Sequence, residues 1–308
     1  FPRCEALGGI SFQIRRGEIA AFLGPNGSGK TTTLRILACA LAPTSGRVEV
    51  AGFDVTTHSL DVRRRIGYLP ETVPLYPEMR VDEYLAFRGR IRGLKGPRLA
   101  ARLREVTEQC GLGDVSKRIL GNLSRGFRQR TGLADCLLHK PDVLLLDEPL
   151  AGLDPAQVQS TREWLRDMGK NRAILFSTHV LAEVEPLCQR ALILNAGRLA
   201  ASDSPARLVQ AAARLVAELF APPDRLTHEL QALCGATDVR TEILPDGWTS
   251  VSIPSSHADL GTRISELARS HQWPLRELHH ESRGFEETYL RLTTSPSLVQ
   301  NPAKRKTP

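Results

Sequence analysis

Gly24-Pro25-Asn26-Gly27-Ser28-Gly29-Lys30-Thr31 is the stretch from which the rest of the chain reads. It fits the spacing G-x-x-x-x-G-K-[ST], and Thr32 extends it on the C-terminal side. Three glycines let the backbone curl with its N–H groups inward, a nest for phosphate oxygens. The apolar residues 19–23 ahead of it read as a strand, and 31–39 behind it as a helix. The positive end of that helix, near Gly29, faces the same anion. Lys30 then supplies a point charge for β- and γ-phosphates, and the Thr31 hydroxyl a ligand for Mg²⁺. A plain tight turn would need neither the strand before nor the helix after.

Outward from the loop, Val143-Leu144-Leu145-Leu146-Asp147-Glu148 sets two carboxylates at the end of a wholly apolar strand. Asp147 is placed to reach Mg²⁺, directly or through a water. Glu148, on the other side of the strand, is placed to polarise a water for in-line attack on a γ-phosphate. Phosphoryl transfer needs chiefly positioning and charge neutralisation, which such a pair supplies. Isolated, a strand end with two acids is commonly just surface; next to a phosphate-binding loop that explanation weakens.

Residues 9–208 alternate short apolar strands with amphipathic helices, the pattern of a mostly parallel sheet covered by helices. Strands are expected at 48–50, 143–146, 173–177 and 191–195, helices at 125–139 and 155–168, and a helical insertion over 81–110. A second unit starts near residue 213. It reads as strand 215–220, helix 224–234, a hairpin of 239–243 and 249–253 across Pro245-Asp246-Gly247, helix 257–270, strand 274–278 and a short helix 284–292. This β-α-β-β-α-β order predicts a ferredoxin-like sandwich. The domains expected are therefore 1–212 and 213–294, followed by a disordered basic tail, 295–308, ending in Lys304-Arg305-Lys306. Phe1 falls where a first strand should already have passed, so a segment ahead of it is expected to be missing.

Composition narrows the class. The 308 residues are 41% hydrophobic and 24% charged, a globular balance. No apolar run approaches the roughly 18–20 residues a membrane span needs. The net charge of +7 is scattered among acids, and aromatics are only 5%, which disfavours base-stacking surfaces. Six cysteines (Cys4, Cys39, Cys110, Cys136, Cys188 and Cys234) lie far apart without metal-ligand spacing, so they read as small core residues in a reducing cytoplasm.

Between loop and acidic pair lies Leu123-Ser124-Arg125-Gly126-Phe127-Arg128-Gln129-Arg130. It resembles the signature L-S-x-G-x-x-Q-R of the ATP-binding-cassette (ABC) ATPases, a P-loop α/β fold with a helical insertion. Arg125 and Phe127 replace more familiar residues, while Ser124 and Gly126, the phosphate-contacting ones, are kept. Gly152-Leu153-Asp154-Pro155 resembles the family's D-loop, with Leu150 where Thr or Ser is usual. Ser177-Thr178-His179 resembles its switch-histidine segment. Ile66-Gly67-Tyr68-Leu69-Pro70-Glu71 matches the Q-loop with Glu71 in place of Gln, able to bind Mg²⁺ or water but not to donate an amide hydrogen bond. Phe1 matches the position that stacks on adenine. Other stretches, among them Phe285-Glu286-Glu287-Thr288-Tyr289-Leu290-Arg291-Leu292, resemble the exporter branch containing daunorubicin-resistance and gliding-motility subunits.

The resemblance implies an ATPase using ATP and Mg²⁺. It implies a homodimer, or a heterodimer with a similar subunit, in which ATP lies between Lys30 of one copy and Ser124 and Gly126 of the other. Glu148 and His179 join Lys30 as catalytic groups, and Thr31, Asp147 and Glu71 as metal ligands. The partner implied is an integral membrane permease at the cytoplasmic face, moved as the dimer closes, with no nucleic acid. The alternatives are a non-transport ABC ATPase acting on nucleic acid or ribosomes, and a nucleotide switch without turnover. Two cassettes on one chain or a long coiled-coil interruption would favour the first, and neither is present in the sequence. Retention of Lys30, Asp147, Glu148 and His179 disfavours the second.

Overall fold

The computed structural model describes residues 5–234, 239–254, 259–281 and 284–294. The chain divides into two compact units. Among the described residues, the first runs to Ser204 and takes in residues 292–294 again; the second is Pro205–Arg291.

The first unit contains β1 (Ile19–Leu23), α1 (Lys30–Leu37), β2 (Glu49–Val50), β3 (Phe53–Asp54), α2 (Ser59–Arg65) and β4 (Ile66–Leu69). There follow α3 (Val81–Ile91), α4 (Gly96–Gln109), α5 (Arg125–Leu137), β5 (Val143–Asp147), α6 (Pro155–Gly169), β6 (Ala173–Ser177), β7 (Arg190–Asn195) and β8 (Arg198–Asp203). Six strands form one sheet in the order β4-β5-β6-β1-β7-β8. The first five are parallel and β8 returns antiparallel at the edge. Continuous apolar runs are what a parallel strand needs when both faces are covered. Every residue of β1 and β6 is buried accordingly. Ala20, Phe22, Leu145, Leu175 and Leu192 meet Leu34 and Leu37 of α1 in the core.

Register decides the site. Asp147 lies opposite Ser177, and Ser177 opposite Phe22, so the carboxyl ends of β5, β6 and β1 finish side by side. That edge of an open α/β sheet is where ligands bind.

Where the structure differs from the sequence reading, local chemistry gives the reason. The insertion is two helices, α3 and α4, because Gly93 takes a left-handed φ of 83° and Pro97 occupies the first turn of α4. Helix α5 stops at Leu137, ahead of the expected 139. There Arg102 donates to the Leu137 and Leu138 carbonyls, and Lys140 turns left-handed at φ 55°. Strand β8 was not anticipated, since Arg-Leu-Ala-Ala-Ser-Asp lacks β-branched residues. Its hairpin with β7 closes on Ala196 and Gly197, both at positive φ, the turn that suits the strand twist.

The second unit holds α7 (Pro205–Ala212), β9 (Arg214–Leu219), α8 (Pro223–Cys234), β10 (Arg240–Ile243), β11 (Thr249–Pro254), α9 (Leu260–Ser270) and β12 (Leu275–Glu281). α10 (Phe285–Thr294) begins in it and crosses the boundary at Leu292. Its sheet order β10-β11-β9-β12 is antiparallel throughout, which is the ferredoxin-like arrangement. The unit has its own core, in which Leu215, Ala217, Val251 and Ile253 pack against Leu226, Leu260 and Ile264. It opens at Pro205, with α7, ahead of the boundary expected at 212/213.

Of the cysteines, Cys110, Cys136 and Cys188 are buried thiols, whereas Cys39 is half-buried at the end of α1 with φ 56°. Cys4, the Cys234 side chain and the tail 295–308 lie outside the described residues. No helix among the described residues is long and apolar enough to cross a membrane.

Candidate nucleotide site

The loop between β1 and α1 folds back on its own lysine. Lys30 Nζ donates to the Gly24 carbonyl at 2.7 Å and to that of Pro25 at 3.2 Å, and the side chain is only 8% exposed. Gly29 is the N-cap of α1 at φ 105°, and a Cβ there would lie 2.5 Å from Leu7 Cδ2 and 3.0 Å from the Ala6 carbonyl. No L side chain fits that combination. Burial lowers the Lys30 pKa from its ordinary value, while Glu148, Asp147 and Glu71 oppose it. The ammonium therefore lies within the field of all three carboxylates. Thr31 and Thr32 are half-buried on the first turn of α1. The Ser28 hydroxyl is buried and makes no hydrogen bond.

Beside the loop, Asp147 ends β5 with 2% of its surface exposed. The Ser177 hydroxyl donates to its Oδ1, and its Oδ2 is buried with no hydrogen-bond partner. Glu148 takes a left-handed φ of 51°, costly by roughly 1–3 kcal/mol for a side chain of this kind. Its N–H is shared between the Ser177 hydroxyl, 3.0 Å away, and the Ser177 carbonyl, 3.2 Å away. That twist turns the Glu148 carboxylate to the exposed His179 ring, with Nδ1 2.9 Å from Oε2. Glu71 is exposed, beyond the end of β4.

A third element reaches the same place. Gln129 of α5, itself 4% exposed, donates to the Glu148 carbonyl at 3.4 Å. Ser124 caps α5, accepting from the Phe127 N–H at 3.4 Å, and its side chain is exposed. Gly126 is buried where a Cβ would lie 2.5 Å from Gln157 Oε1 and 3.3 Å from Leu153 Cδ2. Its smallness thus serves the packing of α6 as well as any ligand. Asp154 caps α6, accepting from the Gln157 N–H at 2.8 Å. The fold therefore brings Lys30, Ser28, Asp147, Glu148, His179 and the field of Glu71 to one edge. Among the described residues, the Ser124 side chain makes no hydrogen bond to that group. Phe1 lies outside the described residues.

Residues 7–151 match the family described as ABC transporter. The chain is 34% identical over 290 residues to the Nod factor export ATP-binding protein I of Burkholderia lata, a match covering 93% of this chain and 91% of that one. The chain belongs to the ABC transporter ATP-binding proteins. It is 37% identical over 198 residues to the ATP-binding protein NatA of Bacillus subtilis, covering 63% of this chain and 80% of NatA. To YxlF of the same organism it is 42% identical over 195 residues, spanning 64% of that relative. A solved ATP-binding subunit of an ABC transporter superposes with a TM-score of 0.62 at 29% identity, covering 68% of this chain and 87% of that one. The fold is also that of the dimeric cassette MJ0796 bound to ADP and Pi, with a TM-score of 0.60, 23% identity, and coverage of 65% and 90%.

This ABC subunit is thus an ATP-binding member of an ATPase family, and its site chemistry fits Mg²⁺. A carboxylate oxygen and a hydroxyl, both buried and unsatisfied, cost several kcal/mol unless a ligand meets them. Asp147 Oδ2 and Ser28 Oγ are such atoms, and they belong to the two motifs expected to meet nucleotide and metal. Sequence reading passed over two contributors to this ABC site, the Ser177 hydroxyl and Gln129. Both lie inside quoted motifs, but their contact with Asp147 and Glu148 depends on strand register and helix packing.

Proposed function

We propose that two such subunits close around two ATP molecules and thereby move an integral membrane permease from its cytoplasmic face, driving export. Lys30 and the N–H groups from Gly24 to Thr32 hold the β- and γ-phosphates of one ATP. Ser124 and Gly126 of the opposite subunit complete that pocket from the N-terminus of α5. Thr31 and Asp147 would hold Mg²⁺, with Glu71 nearby, and the ion would neutralise phosphate charge. Glu148 accepts the proton of the attacking water, and His179, hydrogen-bonded to that carboxylate, holds it in place and faces the γ-phosphate. Loss of the γ-phosphate removes the contacts that keep the subunits together and lets them reopen.

The observation carrying this reading is the joined set Asp147–Ser177–Glu148–His179 beside a buried Lys30. Twisted backbone at Glu148 turns neighbouring carboxylates to separate tasks. The permease role is supported by the names of the relatives and by exposed apolar residues on and beside the helical insertion. Tyr76, Phe87 and Ile91 are 45%, 38% and 62% exposed, and the Tyr76 and Phe87 rings stand 5.9 Å apart. Such a patch suits a membrane protein's cytoplasmic loop better than nucleic acid.

Glu148→Gln is the decisive variant. It should release phosphate at least about a hundredfold more slowly and run as an ATP-dependent dimer in size-exclusion chromatography. A Glu148→Gln protein that stays monomeric in saturating ATP would defeat the two-subunit pocket.

A further inference from the structure

Behind the switch histidine lies a buried carboxylate that the proposed chemistry does not use. Glu183 is 6% exposed, and Thr178, which touches it, is fully buried. The Thr178 hydroxyl donates to Glu183 Oε2 at 2.6 Å, and the same hydroxyl oxygen accepts from the Val180 N–H at 3.1 Å. The Glu183 N–H returns to the Val180 carbonyl at 3.1 Å, closing a ring of contacts around residues 178–183. Thr178 is also pinned to the sheet, its N–H bonded to the Phe22 carbonyl of β1 at 3.1 Å. From the other side, Arg162 of α6 donates to the Ala182 carbonyl at 3.1 Å.

We propose that Glu183 is a positioning residue for ATP hydrolysis, whose carboxylate locks Thr178 and so sets the backbone on both sides of His179. This rests on the ATPase reading above. A side chain there only to fill space would be apolar, since a buried carboxylate without full compensation is costly. Among the described residues no cation stands within ion-pair distance of Glu183. Burial pushes its pKa above the ordinary carboxylate value, the Thr178 hydrogen bond pulls it back, Glu148 adds a further upward push, and the more distant Arg162 and His179 pull it down. Glu183 therefore lies in the field of the carboxylate that His179 serves.

His179 itself is 63% exposed at its side chain, and its hydrogen bond is to Glu148. Little packing holds the ring, so its place is inherited from the Thr178 and Val180 backbone. The Arg162 contact ties the same turn to α6, whose first turn follows Asp154 and the D-loop. Glu183 thus stands where the sheet, α6 and the switch histidine are joined.

The test is steady-state phosphate release by the full chain across ATP concentrations, with affinity followed by a fluorescent ATP analogue. Glu183→Ala and Thr178→Val should each lower kcat by about tenfold or more, with KM and analogue affinity within about threefold of the parent. Glu183→Gln, whose amide oxygen still accepts from the hydroxyl, and Thr178→Ser should keep at least about half the turnover. Combining Glu183→Ala with Thr178→Val should be no slower than the slower single variant, because both remove the same contact. Parental kcat in Glu183→Ala, equal losses in the Gln and Ala variants, or multiplied losses in the double variant would each overturn the proposal. Should Glu183→Ala not fold, the Gln, Val and Ser variants still decide it. A parent chain that releases no phosphate sinks the ATPase reading and this inference with it; a working parent with an indifferent Glu183 sinks the inference alone.

Discussion

Lys30 and His139 show how single side chains report on their surroundings. The Lys30 ammonium is buried and held by the Gly24 and Pro25 carbonyls in the middle of its own loop. Lys30→Ala removes that charge, and ATP affinity should fall by at least about tenfold, or ~1.4 kcal/mol. Equilibrium dialysis with ATP measures it, and parental affinity would take Lys30 out of the site. His139 titrates in the opposite sense to most paired histidines. Burial first, and then the nearby Arg92 charge, lower its pKa from 6.5 to about 4. Its Nε2 bonds the Ile66 carbonyl at 2.8 Å. With a folded-state pKa below the unfolded one, the unfolded chain takes up the proton first. The resulting stability is complete above pH 6.5 and is lost as the pH falls toward 4. Urea unfolding at pH 5 should show about 2 kcal/mol less stability from this group than at pH 7. His139→Gln keeps an N–H donor without a titrating ring and should flatten that acid limb; an unchanged limb would assign it elsewhere.

At the scale of elements, β4 and α5 approach more closely than a side chain allows. A Cβ on Gly67 would lie 2.7 Å from the Cys136 carbonyl and 2.8 Å from Leu144 Cδ2. Backbone cannot give way as a side-chain tip can, so Gly67→Ala should destabilise the first unit by about 1–3 kcal/mol. A thermal melt checks this, and an undisturbed midpoint would mean that the helix can lift from the sheet without cost. Strand identity at β1, β5 and β6 was readable because a covered parallel strand is apolar along its whole length. The insertion was readable as helical but not as two helices. The break comes from left-handed Gly93 and Gly96 and from Pro97 in the first turn of α4, which helical periodicity does not register. β8 carries no periodic signal and exists because β7 offers it an edge.

For the molecule as a whole, each unit has a hydrophobic core of its own, and two unfolding transitions are the expected outcome. ATP at a hundred times its Kd should stabilise the first unit by about 2.7 kcal/mol. In calorimetry that shift should appear in one transition and disappear in Lys30→Ala. Leu215→Ala cuts into the second core, where Leu215 is 1% exposed, and should cost about 2–5 kcal/mol there while ATP affinity is unchanged. A loss of ATP affinity in that variant would show that the nucleotide site depends on the second unit.

Sequence alone determined the chemistry that is local along the chain. The glycines, Lys30 and Thr31 lie within eight consecutive residues, Asp147 ends an apolar strand with Glu148 directly after it, and the helix and strand periods announce the fold class. Only the tertiary structure decided what long-range register and packing create. Ser177 meets Asp147 because β5 and β6 pair in that register, and Gln129 reaches Glu148 because α5 lies on the sheet. The left-handed turn that aims Glu148 at His179 has no signature in residue order. Contacts between residues some twenty to thirty positions apart are fixed by the free energy of the packed core, to which every strand contributes and which no short stretch contains.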